Sequence, residues 1–314
     1  MGELVNITFM YPASGISPHP AHLTWAKSVG SRVVETPMGI GFFDLNKLRG
    51  SDLLLLESLY CASFAKRYKK KNPGCKIVSI IADTSFWPPR LSIARKMFYR
   101  RYLGIVDGFL ADSSRIKKDI LSYIYRPVAV VRPFAVNRFR IKKRGLNKAL
   151  LFIGNEPEEK GYKYLVRAMD LLSDFELFLV GDCGKKVKAR KKNIHVEGKV
   201  PSLKKYFEKC AFYVHPADFE PFGVAPLEAM HAGLIPIITK DVGLSEMFDK
   251  ELELLVMRSN APDEIARKVL EIYNLKNKEK IIKKCEALSK NWTKEKSVKL
   301  FKKSFFEVLS KVQR

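Results

Sequence analysis

One local pattern, repeated along the whole chain, limits what this sequence can fold into. A short apolar run ending in small or polar residues is followed, again and again, by an amphipathic stretch, which is how βα units around a parallel sheet are written. In the first part, Ile7 to Tyr11, Asp52 to Glu57, Ile77 to Asp83, Gly108 to Asp112 and Val128 to Val131 read as strands, and Arg115 to Tyr123 reads as one of the intervening helices. Over Asn137 to Asn147 the alternation gives way to a basic, glycine-containing stretch without periodicity, suited to a linker. It then resumes with strands at Ala149 to Gly154, Phe175 to Gly181, Ile194 to Glu197, Phe212 to His215, Ile235 to Thr239 and Leu252 to Met257. Helices fall near Tyr162 to Leu172, Ser202 to Lys209, Val224 to Ala232 and Asp263 to Tyr273. A chain of 314 residues exceeds one ordinary core, and its 46% hydrophobic content is enough for two. The expectation is an α/β protein of two doubly wound domains, 1–140 and 141–290, followed by a C-terminal helix within 291–314. Ligands are expected at the carboxyl ends of the strands and in the cleft between the domains.

Several classes drop out on composition. No apolar run approaches the roughly 18 residues that span a bilayer. The opening Met1-Gly2-Glu3 has no basic segment leading into an apolar one, so a cytoplasmic location is expected. Cys61, Cys75, Cys183, Cys210 and Cys285 are odd in number and widely spaced, which suggests neither a disulfide framework nor a zinc site. The net charge of +24 admits nucleic acid, an anionic membrane surface or a phosphorylated small substrate as partner, and a solvated lysine-rich surface explains it equally well. The excess is denser early in the chain, where 22 basic and 9 acidic residues precede position 141.

The segment richest in chemistry runs from Pro216 through Glu220-Pro221-Phe222-Gly223-Val224 and Glu228 to Gly233, joining a strand to a helix. Pro221 and Gly223 punctuate the turn, and the backbone N–H groups from about Gly223 onward become the unpaired donors of a helix start, an anion site fit for a diphosphate. Glu220 stands just before that helix and Glu228 lies within it, two carboxylates able to accept hydrogen bonds from sugar hydroxyls. Carboxylates beside a diphosphate demand a cation, and Lys160, in Gly154-Asn155-Glu156-Pro157-Glu158-Glu159-Lys160-Gly161, again follows a strand and opens a helix. Each piece by itself is common on protein surfaces; it is their combination that is specific.

Glu220 and Glu228, separated by seven residues, resemble the paired glutamates of the retaining glycosyltransferases of family 4. Gly154 to Gly161 is similar to that family's Gly-Arg…Glu-Lys-Gly loop, Val180-Gly181-Asp182 to its Val-Gly-Asp turn, and Glu197-Gly198-Lys199-Val200 to its base-side loop. His215-Pro216 and Gly243 to Glu246 fit as well. The resemblance implies the GT-B architecture, two Rossmann-like domains facing across a cleft, with the C-terminal helix, Lys294 to Lys311, crossing back onto the first domain. It implies a hexosyltransferase acting on a UDP- or GDP-linked hexose and needing neither metal nor cofactor. It assigns Glu220 to the transferred sugar, Glu228 to the ribose hydroxyls, and the backbone of Phe222, Gly223 and Val224 to the phosphates and sugar. Lys160 neutralises the diphosphate, and Gly154, Asn155, Gly198 and Val200 complete the donor site. Asn155 departs from the pattern, because the family has an arginine there and an asparagine brings no charge. A non-catalytic homologue is therefore the alternative within this fold.

Before residue 140 the resemblance is weaker. Ser14-Gly15-Ile16 resembles a shortened glycine-rich loop facing the donor phosphates, and Asp83 stands where the family commonly has a histidine, giving it an acceptor-side role or a simple capping one. Ala111-Asp112-Ser113-Ser114 resembles a loop that precedes a helix, and Phe134-Ala135-Val136-Asn137 replaces the family's Asn-Gly-Val-Asp. Between Thr84 and Val106 there is no acid, while Arg90, Arg95, Lys96, Arg100 and Arg101 interleave with aromatic residues. Such a basic amphipathic segment, 86–105, is expected to dock peripherally on an anionic membrane, on its cytoplasmic face, and otherwise to pack on the sheet. A nucleic-acid-binding protein, for which Lys66-Arg67-Tyr68-Lys69-Lys70-Lys71 speaks, accounts for the charge but not for the glutamates, and is not favoured.

Overall fold

The computed structural model describes residues 5–14, 18–86, 92–137, 139, 141, 146–155, 158–183, 187 and 191–313. The described chain separates into two compact units, the first made of residues 1–133 and 294–314, the second of 134–293.

The first unit is built on strands β1 (Ile7–Pro12), β2 (Arg32–Thr36), β3 (Leu53–Leu56), β4 (Lys76–Ile81), β5 (Gly108–Ala111) and β6 (Val128–Val130), with helices α1 (Pro20–Ser28), α2 (Ala62–Lys71), α3 (Ile93–Leu103) and α4 (Ser114–Tyr123) between them. The sheet is parallel, in the order β2-β1-β3-β4-β5-β6. Strands covered on both faces must be apolar on both, and all four leucines of β3 are fully buried. β2 is different: it lies at the sheet edge, alternates exposed and buried residues, and ends in the buried Thr36. That polar alternation is why no strand is legible there from hydrophobicity.

The second unit has strands β7 (Ala149–Ile153), β8 (Glu176–Val180), β9 (Ile194–Gly198), β10 (Phe212–His215), β11 (Ile235–Thr239) and β12 (Val256–Met257). Its helices are α5 (Tyr162–Ala168), α6 (Lys204–Lys209), α7 (Val224–His231), α8 (Pro262–Asn274) and α9 (Lys278–Asn291). The sheet is again parallel, in the order β12-β11-β10-β7-β8-β9. Leu150, Phe152, Leu177, Leu179, Phe212, Val214, Ile235 and Ile237 join α5, α7, α8 and α9 in one buried core.

The last helix, α10 (Lys294–Gln313), belongs to the first unit. Phe301, Phe305, Val308 and Leu309 enter the core formed by β1, β3, β4 and β5, and the Phe301 ring stacks on Trp25 at 5.3 Å. Ser297 donates to the Arg132 carbonyl at 2.6 Å and accepts from Trp25 Nε1 at 3.0 Å, so the start of α10 is fixed by hydrogen bonds as well as by packing. Gly108 makes the close approach possible: a side chain there would meet Val308 Cγ1 at 2.4 Å. All five cysteines are buried and none forms a disulfide, and no helix among the described residues is long and apolar enough to cross a membrane.

Candidate functional site

In the second unit the chain winds from β7 toward β8 and β9 on one side, then returns to lay β10, β11 and β12 on the other. The winding reverses between β7 and β10, and the crevice at the carboxyl ends of those two strands is where a doubly wound sheet receives ligands. Both ends carry polar groups. Lys160 sits at the close of a 3-10 turn, Glu158–Lys160, in the connection leaving β7, and His215 is the last residue of β10. Five residues on, the main chain of Glu220 is pinned to the neighbouring loop: its N–H donates to the Asp241 carbonyl at 3.0 Å and its carbonyl accepts from Gly243 N–H at 3.0 Å.

That placement brings three ionisable groups together. Lys160 Nζ lies 3.1 Å from Glu220 Oε2, and His215 Nε2 lies 3.2 Å from the same oxygen. Burial alone would raise the Glu220 carboxyl, but the Lys160 charge and the His215 hydrogen bond outweigh it and hold the group at about 2. His215 is lowered as well, but for the opposite reason: there burial outweighs the neighbouring Glu220, which raises it. A neutral ring with its proton on Nε2 donates to Glu220, while Nδ1 lies 3.3 Å from the Tyr213 hydroxyl, which donates to the Ile153 carbonyl at 3.2 Å. Phe152 stacks on the imidazole at 5.5 Å between ring centres, fixing the plane in which that proton points. The result is an anionic carboxylate on a packed support, beside a lysine that still reaches solvent.

Backbone geometry keeps this group next to the start of α7. Gly223 precedes the helix with φ of 99°, a conformation that L side chains rarely adopt, and a side chain there would also press on Val242. The Phe222 side chain is buried in the core, so at this turn it points inward, away from the surface. The first N–H groups of α7 lie beyond its internal ladder, with Pro226 contributing none, and they make an anion-binding start. Gly161 is constrained more severely: with φ of 78°, a side chain on it would meet the Pro216 carbonyl at 1.8 Å. Only glycine lets the Lys160 turn lie flush against the loop that leaves β10, which Asp218 N–H fastens to the Glu159 carbonyl at 2.8 Å. Further along the same sheet edge, Gly154 N–H donates to Val180 at 2.9 Å and Gly181 N–H to Gly198 at 2.7 Å, tying the ends of β7, β8 and β9 together.

Glu228 is buried on α7, and one of its oxygens, Oε1, accepts three hydrogen bonds: from Val136 N–H at 3.1 Å, Asn137 N–H at 2.7 Å and Asn137 Nδ2 at 3.1 Å. Burial raises this carboxyl despite those donors, in contrast to Glu220. Two glutamates with seven residues between them thus have opposite electrostatic surroundings, one charge-paired and one held by neutral amides.

Residues 147–275 match the family model for glycosyl transferases group 1. An uncharacterized glycosyltransferase of Methanocaldococcus jannaschii, MJ1607, is 32% identical over 132 residues, 38% of this chain and 34% of that protein. A second from the same organism, MJ1178, is 28% identical over 193 residues, 58% of this chain and 54% of its own. The aligned parts therefore span between a third and a little over half of these relatives. Among solved structures, Anabaena HepE in complex with UDP and glucose aligns at a TM-score of 0.74 with 14% identity, over 96% of this chain and 99% of that one. The two six-stranded parallel sheets are those of the GT-B fold.

Within the group 1 region the structure gathers Lys160, Glu220, Phe222, Gly223, Val224 and Glu228 around one strand-to-helix turn, with Gly154 and the exposed Asn155 at the end of β7. Gly198 closes β9, and Val200, just beyond it, is half-buried against the core that includes Phe207. Lys199 pairs with Asp182 at 2.9 Å on the same edge. Gly15 lies outside the described residues, as do Glu156 and Pro157. Asp83 belongs to the first unit, where it accepts from Ser58 Oγ at 2.7 Å and from Ser85 N–H at 2.8 Å and so caps the turn Thr84–Phe86. Sequence reasoning did not assign His215, Tyr213 or Phe152 a role, nor the donors Val136 and Asn137. The His-x4-Glu spacing across the end of β10 is a usable signal for the first; the bonds from 136–137 to Glu228 bridge 91 and 92 positions and have none.

Proposed function

We propose that this protein is a retaining glycosyltransferase of family 4 that moves a hexose from a UDP- or GDP-linked donor to an acceptor held at an anionic membrane surface, on which the chain docks peripherally through 86–105. The observation behind this reading is the Lys160–Glu220–His215 group at the β7/β10 crevice, beside the start of α7. A diphosphate at that helix start meets backbone N–H groups and the Lys160 ammonium, which together take the neutralising role otherwise given to a divalent ion. Glu220, ionised and rigid, accepts hydrogen bonds from hydroxyls of the transferred sugar and fixes its anomeric carbon relative to the phosphate. The bond between that carbon and the diphosphate oxygen breaks as the acceptor hydroxyl oxygen bonds to the same face. The acceptor's proton passes to the departing phosphate oxygen, so configuration is retained without an enzyme base. Glu228 holds the ribose hydroxyls. HepE, solved with UDP and glucose, supports a donor of this kind, since it shares the fold along nearly the whole chain. The test is the anomeric configuration of the product, read by proton NMR in the presence of EDTA. An α-linked donor is expected to give an α-linked product at undiminished rate; inversion, or loss of turnover with EDTA, contradicts the reading.

A further inference from the structure

The first unit has an apolar surface that the group 1 region does not use. After β2 the chain bends through 37–44, and Ile40 and Phe42 stand 74% and 88% exposed, with Met38 beside them at 50%. The loop is anchored, not loose. Phe43, adjacent in sequence, turns inward and packs on Phe64 of α2 at 5.1 Å between rings. Ser63 Oγ donates to the Gly39 carbonyl, and Arg67 Nη1 donates to the Gly41 carbonyl at 3.1 Å. A loop that buries one phenylalanine and presents its neighbour to solvent is presenting it at a cost, which soluble surfaces avoid unless something covers it.

What surrounds the loop identifies the cover. The helix that anchors it, α2, carries Lys66, Arg67, Lys69, Lys70 and Lys71 and no acid, and among the described residues only Lys69 has an acidic partner, Asp107 at 2.6 Å. On the other flank of α2, Lys66 Nζ donates to the Arg101 carbonyl at 3.3 Å, which joins α3 and its exposed Lys96, Arg100 and Arg101 to the same cationic field. Nucleic acid would take the charge but has no place for three aliphatic and aromatic side chains standing in water. A second copy of this chain would cover them but would bring the same cations face to face. An anionic bilayer takes both, apolar tips among the acyl chains and lysines at the headgroups.

We infer that the 38–42 loop on α2 is a membrane-inserting wedge on a cationic platform, with anionic phospholipid as its partner. The inference rests on the membrane-docking part of the reading above and adds 38–42 as the inserting element beside the cationic surface of 86–105.

The experiment is co-sedimentation of the full chain with phosphatidylcholine vesicles, with and without phosphatidylglycerol, at low and high salt. Four proteins are compared: the native chain, Ile40→Ser/Phe42→Ser, Lys70→Glu/Lys71→Glu, and Ile93→Ser/Met97→Ser on α3. The altered side chains are exposed, so matching unfolding midpoints should show that the fold is intact. The native chain is expected to bind only the anionic vesicles, and both the loop and the α2 variants to lose at least about tenfold in affinity. If only the α3 variant loses binding, docking through 86–105 stands and the wedge is refuted. If no variant changes binding, both are refuted. Displacement from vesicles by duplex DNA, with the loop variant binding DNA as the native chain does, would make this a nucleic-acid face. Concentration-dependent dimerisation abolished in the loop variant, without vesicle binding, would make it a self-contact; either result overturns the inference.

Discussion

At the scale of single residues, the two glutamates do different work because their partners differ. Glu220 is held at about 2 by Lys160 and His215. A carboxyl depressed in the folded state contributes stability above its unfolded pKa, and that contribution fades as pH falls through the folded value, so Glu220 stays ionised at any pH where the protein is ordinarily handled. Glu228 is the sensitive one, since its carboxyl is buried, raised, and bonded through Oε1 to Asn137. Position 137 needs a donor. Asn137→Asp places a carboxylate against Glu228 and is expected to cost about 1–3 kcal/mol at neutral pH, with much of the loss recovered at pH 5, where the pair shares a proton. Chemical denaturation at the two pH values measures it; equal losses at both would mean that the Asn137 amide is not what supports Glu228. This contact also shows where sequence reading stops. Glu220, Glu228 and Lys160 were legible because each lies in a short segment with a recognisable shape, whereas the partner of Glu228 arrives from 91 positions away.

Between elements, the carboxyl edge of the first sheet contains a second buried charge cluster. Glu57 follows β3, Asp112 follows β5, and His22 on α1 lies between them, 2.9 Å from Glu57 and 3.8 Å from Asp112. Burial pushes His22 down, but Asp112 and Glu57 outweigh it and hold the imidazole up at about 9. A raised histidine contributes stability that is complete below its unfolded value near 6.5 and is lost as pH rises through 9. The first unit is expected to lose on the order of 3 kcal/mol between pH 6 and pH 10 relative to His22→Gln, which lacks the titration. Unfolding free energies of both proteins across that range test it, and parallel pH profiles would rule out a charged His22. Strand identity was plain from apolar runs such as Leu53–Leu56, because a parallel sheet covers both faces. β2 escaped because an edge strand needs to be apolar on only one face.

For the whole molecule, the ends of the chain meet in one unit. α10 puts Phe301, Phe305, Val308 and Leu309 into the core of the first sheet. Burying four such side chains is worth roughly 6–12 kcal/mol, comparable with the entire stability of a domain. Ending the chain at Thr293 is therefore expected to abolish cooperative unfolding of the first unit while the second keeps its protected amides, as hydrogen exchange would show; uniform protection in both would contradict that view of α10. The helix over Lys294 to Lys311 was expected from the family resemblance, and nothing in its local sequence says which core receives it. The most direct test of the central claim is release of nucleoside diphosphate from a panel of UDP- and GDP-linked hexoses, in EDTA and with anionic lipid extract, by the native chain and by Glu220→Ala. The account predicts release from one donor that falls by about 10²–10³-fold in the variant. Release unaffected by the substitution, or no release from any donor together with no thermal stabilisation by nucleotides, would contradict it and leave a non-catalytic GT-B homologue.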